Sequence, residues 1–71
     1  MPTLKLCVTG MRSRADEARI EDALRAEPGI YGAVANHEEG AAEVDFDDDE
    51  LDLARILALV RSLGYEAALG G

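Results

Sequence analysis

The sequence is poor in the residues that build disulfides, thiolate metal sites and membrane spans. Its 71 residues include one cysteine, Cys7, two prolines, no tryptophan and only 4% aromatic residues. A single cysteine excludes a disulfide within the chain, and a cysteine-built zinc site needs more than one thiol. The longest uninterrupted apolar run, Ile56 to Val60, is far below the roughly 18 residues of a membrane span, so no membrane insertion is expected.

Positive charge is also scarce. Seven Lys and Arg residues stand against fifteen Asp and Glu residues, which gives a net charge of −8. Such a chain repels phosphate backbones and anionic lipid surfaces, so nucleic acid is excluded as an expected partner. The start of the sequence, Met1-Pro2-Thr3, has no basic segment followed by an apolar run. No secretory signal is therefore expected, and the predicted location is cytoplasmic.

The remaining composition is that of a globular domain. Hydrophobic residues make up 48% of the chain and charged residues 31%. A length of 71 residues predicts one domain over 1–71 with a small core. The single histidine, the single cysteine and a serine lie in separate segments, with no nucleophile–base pair and no phosphate-binding glycine loop. No enzymatic activity is predicted, and no catalytic residue is assigned.

The spacing of apolar residues switches between strand and helix periods. Leu4, Leu6 and Val8 alternate with other residues, which is the period of a half-buried strand. Farther along, Ile20 and Leu24 lie four apart among charged residues, which predicts an amphipathic helix. The same reasoning along the whole chain predicts strands at about 3–9, 30–36, 41–47 and 65–69 and helices at about 13–26 and 53–63. The predicted inward positions of the second strand are Ile30, Ala33 and Ala35, and the predicted N-cap of the second helix is Asp52.

This order of elements is that of two split βαβ units. Such units pack two helices on one face of a four-stranded antiparallel sheet, so the predicted fold class is α+β, with a ferredoxin-like βαββαβ architecture. The first, third and fifth connections then lie at one end of the sheet. That end would hold Ser13 and Asp16 of the first connection, the turn from His37, and Tyr65.

Several short motifs lie at the spacings of a known family. They are Gly10-Met11, Ile20 with Leu24, Pro28-Gly29-Ile30, Val44 with Phe46, Ile56 with Val60, and Gly64-Tyr65. Over Leu4 to Ala68 the chain resembles the heavy-metal-associated domain, a family that includes bacterial copper chaperones and the N-terminal modules of metal-pumping ATPases. The resemblance implies a ferredoxin-like fold and a protein partner such as a metal transporter or a related metal-handling protein.

The resemblance also implies where a metal site would lie. The family motif is Gly-Met-x-Cys-x-x-Cys, whose two thiolates hold a soft ion such as Cu(I). The corresponding segment Gly10 to Asp16 reads Gly-Met-Arg-Ser-Arg-Ala-Asp, so Ser13 and Asp16 stand where the two thiols would be. A hydroxyl and a carboxylate are hard ligands, so loss of soft-metal binding is predicted and no cofactor is expected.

Ser13 and Asp16 also fit a purely structural interpretation. Ser-x-x-Asp before an amphipathic run resembles a capping box, in which the Ser13 hydroxyl accepts from the backbone N–H of residue 16 and Asp16 reaches back. Arg12 and Arg14 flank Ser13 at the start of the first helix, where they would hold a phosphate or a partner's carboxylate, or pair with Asp16 and Glu17.

The leading hypothesis is a protein-interaction or regulatory module in metal homeostasis. Met11 is expected to pack inward beneath the loop, and the charged residues beside it are expected to contact a protein partner. The predicted partner-binding residues are Met11, Arg12, Ser13, Arg14, Asp16 and Tyr65.

One alternative is a metal-binding or metal-transport protein with non-thiolate ligands. The candidate ligands are Asp16, His37 and Glu38, with Glu39 as a further one. An imidazole with carboxylates suits a borderline divalent ion such as Zn(II). The acidic run Asp45 to Asp52 lacks the glycine and the spacing of a calcium loop, so it predicts a solvated helix entry.

A second alternative is a redox or dimer module that acts through Cys7. Cys7 should project from the sheet face that carries no helix, together with Val34 and Tyr31. These side chains would form a modest apolar patch, and such patches often mark partner sites. The predicted assembly is a monomer or a weak dimer.

Overall fold

The computed structural model describes residues 3–70, so residues 1, 2 and 71 of the predicted domain lie outside it. Its elements are β1 (Thr3–Thr9), α1 (Arg14–Arg25), β2 (Ile30–Asn36), β3 (Ala41–Phe46), α2 (Leu53–Ser62) and β4 (Glu66–Leu69). The strands form one antiparallel sheet in the order β2-β3-β1-β4. The predicted ferredoxin-like α+β fold is confirmed. Within residues 3–70, neither helix has the length and apolar character needed to cross a bilayer.

The core lies between one face of the sheet and the two helices. Along β1, Leu6 and Val8 are buried whereas Cys7 and Thr9 are exposed, which is the alternation expected of a strand covered on one side. Six large side chains are less than 2% exposed: Leu6, Ile20, Leu24, Val44, Ile56 and Val60. Leu51, in the connection between β3 and α2, is also part of the core, although it belongs to neither a strand nor a helix pattern of apolar residues.

Strand β2 places its apolar residues inward with an irregular spacing. Ile30, Ala33 and Ala35 are buried, and these are the inward positions that the sequence predicts. The first interval is three residues instead of two because the pairing with β3 shifts register between Ile30 and Gly32. An extra residue in one strand displaces the following side chains to the other face, so the bulge keeps the alanines in the core.

Both helices are shorter than their predicted ranges. Helix α1 begins after Ser13, whose backbone is extended at φ −157°, and ends before the cap residue Ala26. Helix α2 begins after Asp52, whose carboxylate accepts from the Arg55 backbone N–H at 2.9 Å, so the predicted N-cap is confirmed. After α2, Gly64 has φ +101°, a left-handed conformation that favours glycine.

The opposite face of the sheet carries no helix. Tyr31 and Val34 are 59% and 63% exposed there, and Cys7 is also exposed, as the sequence predicts. The apolar patch is not continuous, because Val34 pairs with Glu43 of β3 and that residue pairs in turn with Lys5 of β1.

Candidate functional site

Three connections meet at one end of the sheet. The turn after β2 reaches β1 through a backbone hydrogen bond from the Val8 N–H to the Gly40 carbonyl at 2.8 Å. The start of α1 reaches the residue before β4, because the Tyr65 hydroxyl donates to Asp16 at 2.6 Å. The sequence prediction that Ser13, Asp16, the His37 turn and Tyr65 share one end therefore describes the geometry of the chain.

The Asp16 carboxylate is the centre of this end. Its Oδ2 atom accepts from the backbone N–H of Arg12 at 2.7 Å, and its Oδ1 atom accepts from the Tyr65 hydroxyl at 2.6 Å. The hydroxyl of Tyr65 and then the N–H of Arg12 favour the charged carboxylate, so they lower the pKa of Asp16. Asp16 thus closes the loop before α1 on itself and ties it to Tyr65.

The capping-box prediction is wrong for the serine. Ser13 is the N-cap of α1, but its side chain makes no capping hydrogen bond. Asp16 does reach back, yet it takes the N–H of Arg12, the residue before the cap. The Asp16 carboxylate is also bonded to Tyr65, and the local Ser-x-x-Asp pattern contains no information about this contact between distant segments.

Tyr65 is held on its other side by Arg19. Tyr65 is 7% exposed, and its hydroxyl accepts from Nη1 of Arg19 at 3.2 Å. Arg19 also donates from Nη2 to the Leu63 carbonyl at 3.3 Å, and its guanidinium lies 5.6 Å from the centre of the Tyr65 ring. Donation to Asp16 and burial raise the pKa of Tyr65. Sequence reasoning missed Arg19, although its position three residues after Asp16 on α1 was a usable signal.

His37 contacts Glu17 and not Asp16. The Nδ1 atom of His37 lies 2.6 Å from Oε2 of Glu17, and the backbone N–H of His37 donates to the same oxygen at 2.7 Å. These two contacts, the backbone one first, lower the pKa of Glu17. Successive helical residues point about 100° apart, so Glu17 faces the hairpin turn while Asp16 faces Tyr65.

The candidate ligands Asp16, His37 and Glu38 do not converge. The Glu38 backbone N–H donates to the Asn36 side chain at 2.9 Å, and its carboxylate joins no group of three potential ligands in residues 3–70. The group found there is Asp47, Asp48 and Asp49, with one ligand atom from each within 4.8 Å of the others. The non-thiolate site built on His37 therefore has no assembled ligand set in this part of the chain.

The profile of the heavy-metal-associated domain matches residues 6–66. The chain belongs to this family. A copper-exporting P-type ATPase of Staphylococcus aureus (strain Newman) is 33% identical to it over 67 residues. Those residues cover 94% of this chain and 8% of the ATPase, so the chain spans only a small part of that relative.

Solved structures of similar size share the whole heavy-metal-associated domain. A copper-binding domain from a P-type ATPase superposes with a TM-score of 0.96 at 27% identity, covering 100% of this chain and 96% of that one. The CopZ metallochaperone gives 0.91 at 25% identity, with 94% and 100% covered. The N-terminal domain of a potential copper-translocating P-type ATPase from Bacillus subtilis gives 0.91 at 26% identity, with 97% and 86% covered. These similarities extend over nearly the full length of each domain.

In this heavy-metal-associated domain the only thiol lies away from the loop before α1. Cys7 is exposed in the middle of β1, where it pairs with Ala41 of β3 and Ala68 of β4. The chain contains no second cysteine with which Cys7 could form a two-thiolate site. Positions 13 and 16 offer a hydroxyl and a carboxylate, and the sulfur nearest to them in the sequence is that of Met11, whose side chain is buried.

Arg12 and Arg14 are exposed at the same end. Within residues 3–70 neither arginine makes a direct ion pair with a carboxylate, so the predicted direct pairing with Asp16 and Glu17 is wrong. The positive charge of Arg14 nevertheless contributes to the lowered pKa of Glu17. Asp16 is occupied by Arg12's backbone and by Tyr65, which leaves the two guanidinium groups facing solvent. They are two exposed cations, two residues apart in the sequence, on a molecule with a net charge of −8.

Proposed function

We propose that this heavy-metal-associated domain is a protein-interaction module in metal homeostasis that has lost the soft-metal thiolate pair. The observation that supports this best is the Asp16 carboxylate, both oxygens of which are engaged by the Arg12 N–H and the Tyr65 hydroxyl. A group in the position of a metal ligand thus holds the protein together instead. The domain acts on no substrate of its own, and its partner is a protein.

The donor set argues against a soft metal ion as cargo. Relatives of this chain include a copper-exporting ATPase, the CopZ metallochaperone and a domain solved in its Cu(I)-loaded state. Cu(I) prefers thiolate and thioether sulfur to oxygen. Here Ser13 before α1 and Asp16 in its first turn present a hydroxyl and a carboxylate. The loop contains one sulfur, that of Met11, whose side chain is 9% exposed and packed in the core.

The loop before α1 is held by core packing at one end and by hydrogen bonds at the other. Met11 anchors one end of it in the core, and Asp16 closes the other through hydrogen bonds to Arg12 and Tyr65. An ordered loop loses less conformational entropy on binding than a flexible one, so its surface is ready to contact a partner. The docking function can therefore persist where metal transfer does not.

Charge defines the partner. Arg12 and Arg14 are exposed beside Ser13 and project from an otherwise acidic molecule. A partner with an acidic surface complements these two arginines. The negative charges elsewhere on the domain would repel that surface and so steer it toward Arg12 and Arg14. We propose that this partner is a metal transporter or another metal-handling protein and that binding takes place in the cytoplasm. Tyr65 and Asp16 stabilise the loop that contacts the partner.

Affinity capture from a lysate of the source cells, with the bound proteins identified by mass spectrometry, tests this proposal. The wild-type domain should enrich a metal-handling protein, and Arg12→Glu or Arg14→Glu should lose most of that enrichment. Lys5→Glu is the matched control, because it makes the same charge change on the open face of the sheet. Capture that is equal for Arg14→Glu and the wild type would contradict the proposal.

A further inference from the structure

One stripe of α1 is bonded to the backbone next to it. Glu17, Glu21 and Arg25 are each four residues apart and therefore lie on one face of the helix. The Arg25 Nη2 atom donates to the Ala33 carbonyl at 2.8 Å. Glu21 accepts from the Ala35 N–H at 2.9 Å, and Glu17 accepts from the His37 N–H at 2.7 Å.

The backbone atoms that this stripe contacts lie along the outer edge of β2 and at His37, the residue that follows the strand. Strand β2 is the first strand in the order β2-β3-β1-β4, so it has a sheet neighbour on one side only. In an antiparallel edge strand, every second residue turns its N–H and C=O away from the sheet. Such groups are a template on which another chain can add a strand.

The spacing of the helix matches the spacing of the strand. Four residues of an α-helix rise about 6 Å, and two residues of a β-strand rise about 6.6 Å. Positions 17, 21 and 25 therefore run in step with positions 37, 35 and 33 in the opposite direction. Successive turns of α1 therefore reach successive outward-facing backbone groups of β2 and of His37, the residue after it.

We propose that Glu17, Glu21 and Arg25 close the β2 edge against strand addition by a second copy of this chain. The carboxylates accept hydrogen bonds from the backbone N–H groups of residues 35 and 37, and the Arg25 guanidinium donates one to the carbonyl of Ala33. A second copy would have to displace these bonds before it could pair with the edge. The register shift near Gly32 adds to the protection, because bulges interrupt the pairing of edge strands.

The other edge is closed in the same way. Strand β4 is only four residues long, and Nη2 of Arg61 from α2 donates to the Ala67 carbonyl at 2.8 Å. Each helix thus contributes side chains to the edge strand beside it. The seven-residue strand β2 receives two such contacts and His37, the residue after it, receives a third, whereas β4 receives one.

Hydrogen exchange of the Ala35 amide measures the contact made by Glu21. Glu21→Ala removes the acceptor, and the exchange rate should rise roughly tenfold or more because the bond to a charged acceptor is lost. Asp22→Ala is the matched control, because it removes the same charge from the neighbouring, exposed helical residue and should leave the rate unchanged. Glu21→Gln keeps an acceptor and should retain most of the protection. An unchanged rate in Glu21→Ala would overturn the proposal.

Sedimentation velocity measures the consequence. Glu21→Ala/Arg25→Ala leaves the net charge unaltered and should form dimers whose population rises with protein concentration. The wild type and Glu21→Gln/Arg25→Lys, which keeps an acceptor and a donor, should remain monomers over the same range. The edge-closing role is wrong if Glu21→Ala loses protection of the Ala35 amide while Glu21→Ala and Glu21→Ala/Arg25→Ala both remain monomeric at the highest concentration.

Discussion

The Tyr65 hydroxyl donates to the Asp16 carboxylate at 2.6 Å, although the two residues are 49 positions apart in the sequence. The bond joins the first turn of α1 to the residue before β4. It also decides how the loop before α1 is held, because the same carboxylate accepts from the Arg12 N–H. One carboxylate therefore couples the loop, the helix and the far end of the chain.

Tyr65→Phe should destabilise the fold. The change removes the donor to Asp16 while keeping the buried ring, so we expect the free energy of unfolding to fall by about 1 kcal/mol. Urea denaturation followed by circular dichroism measures the loss. Tyr31→Phe is the control: its hydroxyl lies 3.4 Å from Asp47 on an exposed ring, and the change should have almost no effect. Equal stability of Tyr65→Phe and wild type would contradict the importance of this bond.

Acid should weaken the fold through Asp16 and Glu17. Hydrogen bonds lower the pKa of Asp16 from its ordinary value of 3.8 and that of Glu17 from 4.5. The unfolded chain, which lacks these bonds, takes up protons at higher pH than the native protein does. The stabilisation is therefore complete above about pH 4.5 and is lost as the pH falls through the two lowered values.

Thermal denaturation from neutral pH down to about pH 2.5 measures this dependence. Asp16→Asn and Glu17→Gln each remove one titrating group while keeping an acceptor. The difference in melting temperature between each variant and the wild type should shrink as the pH falls below the ordinary values. A difference that stays constant over the whole range would show that these carboxylates are not coupled to folding.

Two valines on neighbouring strands provide a test of the core. Val44 on β3 is fully buried, whereas Val34 on β2 is 63% exposed on the open face. Val44→Ala should cost about 2 kcal/mol, because it loses buried methyl groups and leaves a cavity, and Val34→Ala should cost less than about 0.5 kcal/mol. Chemical denaturation of both variants checks the difference. Equal losses of stability would contradict the assignment of the core to the face of the sheet that carries Val44.

Zn(II) should find no specific site that includes His37. The Nδ1 atom of His37 is engaged with Glu17, and Asp16 is directed toward Tyr65, so the candidate ligands point to different partners. Calorimetric titration with Zn(II) should give the same isotherm for the wild type and His37→Ala. Stoichiometric binding that disappears in His37→Ala would support the non-thiolate metal site instead.

The fold is predictable from the sequence because it follows from the spacing of apolar residues and from local features such as helix caps. Alternation in β1, helical spacing of Ile20 and Leu24, and the cap at Asp52 each act within a few residues of the chain. The inward positions of β2 are also predictable, since the alanines are the only small apolar residues there. Leu51 was missed because it lies in a connection, where neither period applies.

The candidate site is less predictable because its contacts join distant segments. The sequence places Ser13, Asp16 and Tyr65 at one end of the sheet, but it does not show which atoms meet. Ser-x-x-Asp is a local pattern, and it contains no information about the bond from Tyr65 to Asp16. Likewise, Arg19 on α1 contacts Tyr65 from 46 residues away. Side-chain partners across the fold depend on tertiary packing, which periodicity does not encode.

The most direct test of the proposed loss of metal transfer is a Cu(I) titration of the reduced protein against a competing chelator. The wild type should take up no tightly bound ion, because the loop offers Ser13 and Asp16 oxygens and the chain has one cysteine. Ser13→Cys/Asp16→Cys should restore binding of one ion per chain, and Cys7→Ser should behave as the wild type. One tightly bound Cu(I) per wild-type chain would contradict the account.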